Sequence, residues 1–316
     1  MTRVALLAGG TGGAKLAAGM QELLGADLTV VANTADDCEV HGLHVSPDPD
    51  LCTYWLADQI DEERGWGIRG DSFTVHERLA ALGAPDWFSL SDRDLAVCLY
   101  RTQFIAEGGS LTQAQAQIAR GLGAAARVLP MTDEPVRTHV QTPAGRQGLQ
   151  EFLILGGGAG PIESVEVDGL ESARPTSEVL AALAGADVIV IGPSNPVISI
   201  GPILALPGMR EAITAAGAPT VAVSPLVAGR TVKGPTEAFM QAIGRPVSAA
   251  GVASLYEGLL GGIVVDEGDP DPPPKGIPAF QCPTLMEGAA GRRALAERVL
   301  DWAPQLATTF SSRPRP

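Results

Sequence analysis

Aromatic residues make up only 4% of this 316-residue sequence, so its core must be built from Ala, Val, Leu and Ile. Positive charge is also scarce: 22 Lys and Arg stand against 36 Asp and Glu, for a net charge of −14. That balance argues against binding a nucleic-acid backbone, which needs clustered cations to displace counterions. A phosphorylated small molecule is still admissible, because a few local cations, backbone amides or a metal can hold one. Cysteine is limited to Cys38, Cys52, Cys98 and Cys282, without CxxC spacing, which predicts reduced thiols rather than a disulfide frame or zinc site. No stretch approaches the roughly 20 apolar residues that span a bilayer. The apolar run Val4 to Ala8 breaks at Gly9 and is too short for an export signal. The expectation is a soluble, cytoplasmic protein. Hydrophobic residues at 45% and charged residues at 18% exclude disorder and supply a sizeable core, for one large α/β domain or two smaller ones.

The chain opens as strand, glycine loop, helix. Val4 to Ala8 has buried-strand length, Gly9 to Gly13 form the loop, and Ala14 to Leu24 read as a helix capped by Gly25. Leu28 to Ala32 is the next strand, which completes a βαβ unit and implies a parallel sheet with both faces covered. The same grammar returns at Ala186 to Ile191, the loop Gly192-Pro-Ser-Asn-Pro196 and a helix opened by Gly201-Pro202. Thr220 to Ser224 and Gly261 to Val265 are further strands. Residues 62–127 have helical patterns instead. Ser91-Asp-Arg-Asp94 has the spacing of a capping box for a helix running to about Ala106, and Ser110 is placed to cap the next helix, Thr112 to Leu122. The predicted fold is therefore a Rossmann-like, doubly wound, mostly parallel sheet formed by residues 1–61 and 128–316, with a helical insertion at 62–127. The second glycine run, Gly156 to Gly160, reads as a plain loop, and the tail from Ser311 to Pro316 as frayed.

A glycine loop feeding a helix N-terminus offers backbone N–H groups and a positive dipole end, which suit phosphate. The dinucleotide fingerprint fails, because Lys15 stands where GxGxxG starting at Gly10 needs its third glycine, and Asn33 replaces the ribose-binding acid. No GxxxxGK[ST] string exists either. After the second strand come Asp36, Asp37, His41, His44, Asp48 and Asp50. Carboxylates at the sheet's carboxyl edge beside a phosphate site are the donor set Mg²⁺ takes; the same residues would also make a solvated acidic loop with turn-forming aspartates.

Together these strings are far more specific than any one of them. Gly9-Gly-Thr-Gly-Gly-Ala-Lys15, Asn33-Thr-Ala-Asp-Asp37, His41 to Asp48, Leu90-Ser-Asp-Arg-Asp-Leu95, Pro193 to Ile203 and Ser224 to Gly229 occur in order over most of the chain. The set resembles the 2-phospholactate transferase family (CofD/FbiA-type) of coenzyme F420 biosynthesis. The resemblance implies transfer of a phospho-acid (2-phospholactate, phosphoenolpyruvate or a related three-carbon acid) from its guanosine-diphosphate-activated form to the deazaflavin FO, with release of GMP. It also implies Mg²⁺ as cofactor and a homodimer. Under it, Asp36 and Asp50 are the expected metal ligands, with Asp37 and Asp48 as second choices or as base. Gly10, Thr11, Gly12, Gly13 and Lys15 would cradle phosphate, with Asn33 beside them. Ser194 and Asn195 would meet the nucleotide or donor, and Asp92 and Arg93 would reach in from the insertion.

The insertion also carries Trp66, Trp87 and Phe88, an apolar wall suited to the flat ring of FO. The sequence departs from the family at Ala35, where glycine is usual, and at Pro47-Asp-Pro-Asp-Leu51, which lacks a threonine. It also departs at Leu153-Ile-Leu155, where a basic stretch is common. Two rival readings are a nucleotide-sugar-binding regulatory protein of the same superfamily and an NAD-dependent oxidoreductase.

Overall fold

The computed structural model describes residues 2–306, so the predicted frayed tail lies outside the described residues. Seven parallel strands form the central sheet, in the order Ala279–Cys282, Gly262–Asp266, Thr220–Val223, Val188–Ile191, Val4–Ala8, Leu28–Ala32 and Arg127–Pro130. The expected α/β doubly wound architecture is present. Strand side chains alternate between the two faces. Leu6, Val30, Val190 and Val264 join one hydrophobic cluster, packed with Leu16 and Leu295 of covering helices. Leu7, Val31, Ile189, Ile191 and Ile263 join the other, with Leu183, Ile203 and Ile213. Both sheet faces are thus covered, which is why these strands read as unbroken apolar runs.

The strand order reverses at Val4–Ala8. From there the chain winds outward through Leu28–Ala32 and Arg127–Pro130, and returns to wind the other way from Val188–Ile191. A crevice therefore opens between the loops that follow Val4–Ala8 and Val188–Ile191, the position where such sheets bind ligands.

Three local structures differ from expectation. The first helix spans Gly10–Leu24, so four of the glycine-run residues form its first turn rather than a loop; Gly9 is the capping position. Gly25 ends it at φ 54°, a left-handed conformation glycine adopts freely. The acidic segment is ordered: Cys38–Val40 and Leu43–Val45 pair as a hairpin, turning at His41 and Gly42, both with positive φ. Pro47–Leu56 is a helix with proline in its first turn, so Asp48 and Asp50 are helical rather than loop residues. Residues 137–168 add a small antiparallel sheet, Gly145–Gly148, Arg137–Thr142 and Ser164–Asp168, that was not anticipated.

Helices Thr74–Ala81, Asp92–Ala106 and Leu111–Leu122 occupy the stretch read as helical. Ser110 and Gln113 form a reciprocal capping box at the last of these. The box expected at Ser91 does not form: Ser91 precedes the helix but its hydroxyl has no hydrogen bond. The carboxyl of Asp94 instead takes the Tyr54 hydroxyl.

Candidate active site

The crevice encloses about 820 Å³, lined from both winding directions and from the helical insertion. Its floor is the first turn of Gly10–Leu24. The first N–H groups of a helix have no partner inside it; that of Gly10 donates to Asp48 Oδ1 (2.6 Å), while Thr11 and Gly12 line the cavity. The glycines also let two strand-end loops touch. A Cβ at Gly12 would collide with the Pro193 carbonyl, and one at Gly13 with the Ser194 hydroxyl and Ala8. Ser194 is a latch in this contact, its Oγ accepting the Gly9 N–H (3.1 Å); it is buried and does not line the cavity. That corrects its placement on the ligand. Asn195 does line it. Its Oδ1 accepts from the N–H groups of Val197 (2.9 Å) and Ile198 (3.2 Å), which leaves the buried Nδ2 without a partner. Lys15 lies beside the floor, its ammonium 5.6 Å from the Trp55 ring centre. Burial, then repulsion from Arg292, lowers its pKa.

Asn33 was expected on the nucleotide but is fully buried and acts as a bracket. Its Nδ2 donates to Asp36 Oδ1 (2.9 Å) and Asp48 Oδ2 (3.0 Å), holding the two carboxylates together at the cavity edge. Burial raises the pKa of both, and repulsion between the pair adds to the rise at Asp36. Two converging carboxylates beside an open helix N-terminus fit Mg²⁺, which takes one or two protein oxygens and completes its shell with phosphate and water. The pair is Asp36 with Asp48, however, not Asp36 with Asp50. Asp50 is ion-paired with the fully buried Arg101, so its charge is already answered. Burial still raises its pKa, against the opposing pull of Arg101.

Asp37 turns away from the crevice. Its Oδ1 accepts from Ser46 Oγ (2.8 Å) and its Oδ2 meets His44 Nε2 (2.7 Å), so it fastens the hairpin to the helix that carries Asp48. Asp92 and Arg93 are also outside. Asp92 accepts from Ser72 Oγ (2.6 Å) and the N–H of Val75 (3.0 Å), which caps helix Thr74–Ala81 and lowers its pKa. Arg93 lies 3.9 Å from Asp71. Asp37, Asp92 and Arg93, expected at the reacting atoms, do not line the crevice and make structural contacts in this structure.

The insertion's contribution is Asp94, Trp66, Trp87 and Phe88, which line the cavity with Tyr54 beneath them. Trp87 and Phe88 meet edge to face at 5.4 Å, and Arg64 covers Trp66 at 5.2 Å. Leu153 and Ile154 also line the cavity. Asp94, Tyr54, Arg101 and the cavity-lining Lys233 were not singled out from sequence. A signal existed for two of them: Asp94, Cys98 and Arg101 share one helical stripe at i, i+4, i+7, so two charges sit on a face that must be buried.

A profile described as 2-phospho-L-lactate transferase CofD matches residues 4–275. The chain belongs to this family. The "2-phospho-L-lactate transferase" of Methanosarcina acetivorans is 41% identical over 300 residues, 93% of this chain and 97% of the relative. The "Phosphoenolpyruvate transferase" of Streptomyces coelicolor is 43% identical over 276 residues, 85% and 86% of the two chains. A crystal structure from Bacillus halodurans, titled as a member of the UPF0052 family, superposes with a TM-score of 0.62. It covers 95% of this chain and 100% of the other at 20% identity, a likeness of fold alone. Among the described residues no helix is long and apolar enough to cross a membrane.

Proposed function

We propose that this chain transfers a three-carbon phospho-acid from its guanosine-diphosphate-activated form to the deazaflavin FO, releasing GMP. Family membership supports a transferase, and the relatives carry both the phospholactate and the phosphoenolpyruvate names. The observation that carries the fuller reading is that one cavity is lined by two chemically different sets of residues. One set is the Asp36–Asp48 pair with an open helix N-terminus and the unpartnered Asn195 Nδ2. The other is Trp66, Trp87 and Phe88. The first set suits a diphosphate, the second a flat tricyclic ring.

Attack of an alcohol on a phosphoanhydride gathers charge on nonbridging oxygens, so positioned donors and cations dominate the catalysis. When bound, Mg²⁺ held by Asp36 and Asp48 supplies charge neutralisation at the diphosphate. The N–H groups of Thr11 and Gly12, the Asn195 amide and the Lys15 ammonium bind its remaining oxygens. The aromatic wall orients the acceptor ring and excludes water that would otherwise compete for phosphorus. Mass spectrometry of mixtures containing FO, Mg²⁺ and each GDP-linked acid tests this. The expected product is FO enlarged by one phospho-acid, together with GMP. GDP binding without product from any donor would favour a regulatory binding protein, and tighter binding of NAD than GDP would favour an oxidoreductase.

A further inference from the structure

The proposed transfer needs a group that removes the acceptor's proton, and the acids near the phosphates are poorly placed for it. Both oxygens of Asp48 are engaged, by the Gly10 N–H and by Asn33. Asp50 is held by Arg101, and Asp37 is turned away. Asp36, held through Oδ1 by Asn33, is assigned with Asp48 to the metal. Asp94 lies apart from this group. It comes from the insertion, six and seven residues beyond Phe88 and Trp87 of the aromatic wall, and lines the same cavity. Its Oδ1 accepts the Tyr54 hydroxyl, which fixes the carboxyl. Among the described residues its Oδ2 takes no hydrogen bond and no cation pairs with it. That oxygen lies 3.8 Å from where a Cβ would stand at Gly67, another cavity residue, as do Arg64 Nη2 and Ser91 Oγ, so the missing side chain leaves a small space ringed by these polar groups.

We propose, on the basis of the transferase reading, that Asp94 is the general base for the acceptor hydroxyl. The hydroxyl proton passes to Asp94 Oδ2 as the acceptor oxygen bonds to the phosphorus that carries the three-carbon acid. The bond from that phosphorus to the bridging oxygen breaks, and its electron pair leaves on GMP, which needs no proton. Asp94 returns the proton to solvent when product leaves. Tyr54 is a positioning residue, since it acts only by holding the carboxyl.

The charge surroundings agree with this role. Burial first, and then repulsion from Asp50, push the Asp94 pKa up to about 6, with Tyr54 and Arg101 pulling it down and Asp71 pushing weakly up. Such a carboxylate is ionised at neutral pH yet more basic than an exposed one. General bases tuned in this way contribute about 10²–10⁴-fold to turnover.

The test compares the full-length parent, Asp94→Asn and Tyr54→Phe in FO turnover across pH, with GDP affinity measured on each. Asp94→Asn is expected to lose at least about 100-fold in kcat while KM for FO and GDP affinity hold, and to lose the acid limb of the parent's profile. Tyr54→Phe removes a bond that lowers the pKa, so its acid limb should move to higher pH with turnover retained above it. Three results would overturn the proposal: parent-like kcat in Asp94→Asn, a rise confined to KM for FO, or an unmoved acid limb in Tyr54→Phe. The Tyr54→Phe limb decides the matter even where Asp94→Asn fails to fold. A parent that makes no product with any donor defeats the transferase reading instead, and the proposal with it.

Discussion

Replacing Arg101 with methionine isolates a buried charge pair that joins the insertion to the acid-bearing helix. Arg101 is fully buried, and its guanidinium donates to Asp50, to the His44 carbonyl (3.2 Å) and to Gln115 Oε1 (3.5 Å). Methionine fills much of the volume but leaves the Asp50 carboxylate, itself 4% exposed, with no opposite charge. Removing one partner of a buried pair costs about 3–5 kcal/mol, mostly the penalty of the orphaned ion. Asp50 can escape that penalty only by taking up a proton. Its pKa is raised by burial even with Arg101 present, and without Arg101 it must rise further.

The sign of the pH dependence follows. A carboxylate whose folded pKa lies above its unfolded value contributes stability that is intact below the unfolded pKa and lost as pH rises through the folded one. Urea unfolding of Arg101→Met should therefore show the full deficit near pH 8 and a reduced one near pH 5. The double variant Arg101→Met, Asp50→Asn should recover most of the loss near pH 8, because no buried charge is left. A deficit below about 1 kcal/mol, equal deficits at both pH values, or a double variant no better than the single one would refute this account.

Other expectations are more local. Gly12→Ala must force the Pro193 loop away from the first helix, and overpacking of this kind costs about 1–3 kcal/mol, with weakened GDP binding; parent-like urea unfolding and GDP titration would show that the contact yields freely. Asp48→Asn should lower turnover at least about tenfold, the scale of roughly 1.4 kcal/mol in transition-state stabilisation, and weaken the response to Mg²⁺. A Mg²⁺ titration of its turnover indistinguishable from the parent's would remove Asp48 from the metal set. Trp87→Ala should weaken FO binding and leave GDP binding unchanged in fluorescence titrations. Equal loss for both ligands would return the aromatic wall to a structural role.

The central sheet was legible because burial on both faces leaves little choice of residue: Val4 to Ala8 is apolar throughout, Leu28 to Ala32 is apolar except at Thr29, and both have the expected bounds. The small sheet at 137–168 was not, although Arg137–Thr142 buries alternate residues. Its two-residue period is short and partly polar, and a local reading cannot see its partner strands. The extent of the glycine loop was misread for a different reason. Intrinsic propensity counts glycine against a helix, yet here packing against Pro193 and Ser194 admits only glycine at positions 12 and 13 of the first turn.

The acids show most clearly where sequence reasoning stops. Asp36, Asp37, Asp48 and Asp50 are equivalent in a string of letters, and their separate fates depend on which partner the fold brings to each. Asn33 draws Asp36 and Asp48 together, Ser46 and His44 take Asp37, and Arg101, 51 residues from Asp50, takes the last. The same long-range pairing sorts Asp92 from Asp94. Asp92 faces helix Thr74–Ala81 and is consumed as a cap, whereas Asp94 shares the inward stripe with Arg101. Arg101 is ion-paired with Asp50, which leaves Asp94 lining the cavity with a hydroxyl on one oxygen and, among the described residues, no ion pair of its own. The ion pair that fixes the acid-bearing helix thus also keeps Asp94 free to act as a base. Severing it by Arg101→Met should disturb the pH profile of turnover as well as stability, since the loss of Arg101 removes a charge that lowers the Asp94 pKa.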